Sequence, residues 1–116
     1  LENSESAVVV LDKQGRIETW SNGATTLFGY KRGNVEGYGI AFLLPPDMRP
    51  AHRDAFTRAM GKGRLSDGKS VQVIECEAVA KGGKSMRVVI EVRVDPVSEQ
   101  AVAIINRAAS VSRETL

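Results

Sequence analysis

One cysteine, one histidine and one tryptophan stand among 116 residues, and aromatic side chains make up only 5% of the chain. The single Cys76 excludes an internal disulfide and a cysteine-based zinc cluster. Folding therefore does not depend on oxidation, and a reducing, cytoplasmic setting is expected. His52 and Cys76 lie far apart in sequence, so no local motif supplies a nucleophile with its base. The phosphate-cradling glycine motifs of nucleotide-binding proteins are missing too. Catalysis is not expected of this chain. No block of one charge occurs: 16 Lys and Arg are interleaved with 14 Asp and Glu, for a net charge of +2. That pattern gives no electrostatic footprint for nucleic acid. The longest nearly apolar run, Ile40 to Pro46, is far short of the roughly 20 residues that cross a bilayer. No membrane span is expected.

What is present is an ordinary globular balance, 42% apolar and 26% charged, in a length that suits one domain. The chain opens on Leu1 with neither an initiator Met nor a signal-peptide pattern, and it is expected to be a piece of a larger protein. Residues 1–6 read as an N-terminal linker and 7–107 as the domain. Residues 108–116 read as a linker or the start of a signalling helix.

Ala7–Leu11 and Arg16–Trp20 are short runs suited to strands, joined by the turn Asp12-Lys13-Gln14-Gly15. Ser21 or Asn22 can cap a short helix that runs to Phe28 and stops at Gly29. Gly33, Gly37 and Gly39 break the next stretch into short turns. Pro45-Pro46-Asp47 then starts a longer helix, with Asp47 as its cap or first-turn acid. Met48, His52, Ala55, Phe56, Ala59 and Met60 fall on one stripe of that helix. His52 is thus predicted to face inward. After a polar loop from Gly61 to Gly68, Lys69–Ala80 alternates so that Gln72, Ile74 and Cys76 face in and Glu75 and Glu77 face out. Lys81–Lys84 is a hairpin turn into Met86–Val94, Asp95-Pro96 ends that strand, and Ala101–Ile105 forms a fifth.

The ordered segments VVVLDKQGRIETWSNGATTLFGY, VEG, LLPPDMRPAH and AKGGKSMRVVIEVRV closely resemble a PAS sensor domain from about Ala7 to Arg107. The resemblance implies an α+β fold: a five-stranded antiparallel sheet with short helices and one longer helix on one face, enclosing a ligand pocket. It also implies a sensory module of a signal-transduction protein, such as a two-component system, that forms a homodimer through the PAS surface or flanking helices and drives an output domain elsewhere. Two departures stand out. Ser21 occupies a position where many members carry Asn. Ala108-Ala109-Ser110 replaces the usual Asp-x-Thr that couples the sheet to the output helix, which removes a polar anchor.

Within the family, LLPPDMRPAH resembles the segment of haem-binding oxygen sensors, both kinases and phosphodiesterases. There the histidine matching His52 is the axial iron ligand. The resemblance therefore implies haem b as a candidate cofactor and a gas or redox signal, with His52 on the metal. Met48, Phe56, Ile74, Val88 and Ile90 would wall the site. Gln72 and Ile74 fall where the oxygen sensors carry Met and Arg, so a bound oxygen would lack its charged partner; the alternatives are selectivity for carbon monoxide or nitric oxide, or Gln72 as the donor. Flavin is not expected, because no Cys falls in Ile40–Leu44. The alternatives are a dimerisation or protein-interaction module without haem, or one that binds another small ligand.

Overall fold

A computed structural model describes residues 6–62, 71–95 and 97–109. Five strands form one antiparallel sheet in the order β2-β1-β5-β4-β3. β1 (Ala7–Leu11) and β2 (Ile17–Trp20) are the predicted first hairpin. Asp12 makes its turn: the carboxylate accepts the N–H groups of Gln14 at 2.8 Å and Arg16 at 2.9 Å. Gly15 takes φ 81°, which a side chain would resist. The β1–β2 register shifts between Val10 and Leu11, leaving Glu18 as an extra residue on β2.

β3 (Val71–Val79), β4 (Ser85–Asp95) and β5 (Gln100–Arg107) complete the sheet. β4 and β5 run longer than their period-2 patterns suggest, because ladder bonds extend pairing past the last alternating side chain. Lys69 and Ser70, expected at the start of β3, lie outside the described residues, as do Ser110 to Leu116 of the expected signalling helix.

α1 (Asn22–Phe28) is capped by Ser21, and Gly29 ends it at φ 85°. α2 (Arg32–Val35) and a 3-10 turn over Ile40–Leu43 fill the glycine-broken stretch. The long helix differs from its predicted start. Pro46–Met48 is a separate 3-10 turn that holds Asp47, and α3 (Arg49–Lys62) begins after it. The Arg49 Nε–H donates to the carbonyls of Ala41 and Leu44, both at 3.1 Å, which fixes the start of α3 to the preceding turn.

These helices cover the inner sheet face. Trp20, Phe28, Ile17, Val9, Val35 and Val88 are the largest fully buried side chains. Trp20 and Phe28 rings meet at 5.8 Å, and the Trp20 indole N–H donates to the Tyr30 carbonyl at 2.9 Å. The indole's polar atom is thus satisfied inside the core.

Candidate functional site

α3 presents His52, Phe56, Ala59 and Met60 to the protein, all buried or half-buried. Two residues assigned to that stripe do not join it. Met48 is 39% exposed because it sits in the 3-10 turn, where three residues per turn break the helical spacing that would align it with His52. Ala55 is exposed because the buried stripe leans toward Met60, leaving Ala55 on the flank. The His52 imidazole stacks on Phe56, with centroids 6.1 Å apart and planes 30° apart. Phe56 in turn lies over Gly15, where an added Cβ would meet its ring at 3.4 Å. Burial holds the His52 imidazole below its ordinary value of 6.5, so the ring is neutral at pH 7.

On the sheet, the register pairs Gln72 with Val92, Ile74 with Ile90 and Cys76 with Val88. Directly opposed residues share a face, so all six lie on the inner side, as the alternation predicts. Their burial differs sharply. Val88 is completely buried and belongs to the core cluster, whereas Ile74 is 37% exposed. Gln72, Ile90 and Val92 are half-buried. The inner face is therefore packed at its Val88 end and incompletely covered at its Ile74 end.

Two open clefts were not foreseen. One, of about 320 Å³, is bounded by Tyr30, Asn34, Val35, Tyr38, Gly39 and Phe42. The other, of about 360 Å³, has Pro45, Asp47 and Met48 on one side and Glu75, Cys76, Glu77 and Arg87 on the other. His52 lines neither. Burial pushes the Cys76 thiol up, and the Arg87 guanidinium pulls it partly back.

For haem, the donor chemistry is partly present in a half-buried, neutral imidazole. Among the described residues the space is not, because Val88 is packed to zero exposure and the Phe56 ring stacks against the imidazole. Among the described residues, the packing around His52 makes no haem-sized site.

A five-stranded antiparallel sheet with helices gathered on one face is an α+β architecture built round a single core. The PAS domain family model matches residues 5–109. The chain belongs to the PAS family. Among curated proteins it is similar to the cell-division control histidine kinase PdhS of Brucella ovis and of Brucella abortus, at 35% identity over 86 residues. That match covers 72% of this chain, and the chain spans only 8% of the length of those kinases. Among solved structures, the Cronobacter turicensis RpfR quorum-sensing receptor PAS domain in complex with BDSF aligns with a TM-score of 0.73. It shares 18% identity and covers 91% of this chain and 96% of that one. A light-oxygen-voltage domain studied with a flavin analogue aligns at TM-score 0.69 and 18% identity, covering 99% and 84%. At such identities these likenesses speak for the fold.

Proposed function

We propose that this chain is a cytoplasmic sensory module of a larger two-component signalling protein, and that its input is a small apolar ligand held at the incompletely covered end of the inner sheet face. The chain performs no catalysis in this reading, and the output activity belongs to other parts of the polypeptide. One observation carries the ligand assignment: Ile74 faces inward opposite Ile90, yet is 37% exposed. Burying such a surface under a ligand is favourable by about 25 cal/mol per Å². Ile74 and Ile90 would form the site's apolar wall. Gln72 and the neutral His52 would supply the few polar contacts that orient a ligand in an apolar site. Met48 stands apart, on the cleft beside Cys76. Haem b and flavin form no part of this reading.

The RpfR PAS domain has also been solved in complex with C12:0, which makes dodecanoate a practical probe. Titration followed by NMR should shift the signals of Ile74, Ile90 and Val92 saturably, and Ile74→Glu should abolish the effect. Shifts confined to the opposite sheet face would overturn the assignment. A sharp Soret band on hemin addition, lost in His52→Ala, would replace it with a haem sensor.

The outer sheet face favours a second function alongside the first. Val8, Val10, Val89, Val102 and Ile104 lie half-buried there, and Val73 is 65% exposed. Glu75 pairs with Arg87 on that face and Glu91 with Arg93. An apolar centre edged by charges is the anatomy of an association surface, and a homodimer through it would carry the signal onward. Light scattering should report a dimer that Val73→Asp disrupts, and a strict monomer would sink this reading.

A further inference from the structure

The two edges of the sheet are treated differently by the chain itself. β2 is covered: the Ile17 N–H donates to the Tyr38 carbonyl at 2.9 Å, the Gly37 N–H to the Ile17 carbonyl at 2.8 Å, and the Ile40 N–H to the Gly15 carbonyl at 3.1 Å. An isolated bridge between Arg16 and Gly39 continues the same cover. β3, at the opposite edge, pairs only with β4 among the described residues. It is nine residues long, against four in β2.

Edges of that length are normally blunted by a bulge, a proline, a lysine or a covering segment. The β3–β4 register runs unbroken from Val71 to Val79, which contains neither proline nor lysine and carries Glu75 and Glu77 as its edge charges. The cleft beside Cys76 adds a further clue. Glu75, Cys76 and Glu77 are consecutive, so their side chains alternate between the two faces, yet all three line the cleft together with the Pro45–Met48 turn. The cleft therefore opens where the Pro45–Met48 turn approaches the middle of β3. The turn faces the middle of β3 across a cleft of about 360 Å³, and the outer backbone of β3 has no strand partner among the described residues.

The cleft's charge indicates what enters. Asp47, Glu75 and Glu77 line it against the single cation Arg87, and Arg87 is already engaged with Glu75 at 3.1 Å. We propose that the β3 edge is a strand-addition site for an extended, lysine- or arginine-bearing segment of a partner protein. Its backbone bonds to β3, and its basic side chains meet Asp47 and Glu77. Main-chain pairing supplies affinity in such additions, and side chains at alternate positions supply choice. The site lies at the strand edge and shares Glu75 and Arg87 with the outer face, whose dimer is tested separately by Val73→Asp.

A short blocked peptide alternating valine with lysine is a suitable probe, tested on the whole chain. Hydrogen exchange should slow at backbone amides within Val71–Val79 as the peptide is added. The same peptide N-methylated on one edge, or carrying glutamate for lysine, should bind at least about tenfold more weakly. Glu77→Lys should weaken the lysine peptide by about tenfold at low salt, a size common for a close charge pair. That exposed substitution should leave the fold intact, and improved binding of the glutamate peptide by the same variant would confirm that charge selects the guest. Equal binding of all three peptides, or protection outside β3, would overturn the proposal. So would β3 protection that grows with protein concentration alone, which would assign the edge to a second copy of the chain.

Discussion

The Ser21 hydroxyl oxygen accepts two backbone N–H groups at once, that of Val8 at 2.8 Å and that of Ala24 at 3.1 Å. One bond caps α1 and the other ties its start to β1, thirteen residues earlier. Ser21→Ala leaves both donors without this partner. A loss of about 1–2 kcal/mol is expected, in the range for a lost cap, and chemical denaturation should read it as a lower midpoint at unchanged slope. Ser21→Asn, with an oxygen of similar reach, should recover much of the loss. An Ala variant as stable as the parent would show that the bridge contributes nothing.

Gly29 stands at φ 85°, and a Cβ there would lie 3.3 Å from the Lys81 Cβ. The Phe28 carbonyl accepts the Lys81 N–H at 2.9 Å, so α1 and the β3–β4 hairpin are held together at this point. Gly29→Ala should cost about 1–2 kcal/mol from the left-handed backbone alone. The crowding against Lys81 adds to it. Gly33→Ala, where nothing approaches the new methyl group, is the control and should be neutral or slightly stabilising.

Stability should fall in mild acid because of His52. Its folded-state pKa lies below 6.5, so between the folded value and 6.5 the unfolded chain binds more protons than the native one. The contribution is complete above 6.5 and is lost as pH falls toward the folded value. Denaturation midpoints measured across that window should decline in the parent and decline less in His52→Gln. Identical pH profiles would show that burial of the imidazole has no energetic consequence.

Cys76 should react slowly with a disulfide reagent at neutral pH, because burial disfavours its thiolate. Arg87→Ala removes the cation that partly offsets burial, and should slow the reaction further. A faster reaction in that variant would mean that steric access, and not thiolate fraction, controls the thiol. Val97→Asp, at a residue 92% exposed and remote from the cleft, should leave the rate unchanged.

The sequence determined the elements that rest on local chemistry. Period-two alternation specified the strands and the inward parity of Gln72, Ile74 and Cys76, because a one-residue slip would turn every side chain of a strand to the wrong face. Gly15 and Gly29 marked turns that need positive φ, and the ordered motifs identified the family. His52 and Phe56 were legible as inward residues of one helix because they are four apart within regular α geometry. Met48 was misplaced because the chain enters that helix through a 3-10 turn, and the pattern of apolar residues alone does not reveal the change of pitch.

Tertiary structure alone decided the rest. That the inner face is packed at Val88 and open at Ile74 depends on how distant segments come to lie over the sheet, and Arg49, holding two carbonyls of the preceding turn, is one such tie. That β2 is covered and β3 is free among the described residues depends on the path of Gly37–Ile40, which no periodicity encodes. Local propensity acts over a few residues. Pockets, edges and the reach of Ser21 to Val8 arise between segments distant in sequence, so they exist only once the sheet has closed against its helices.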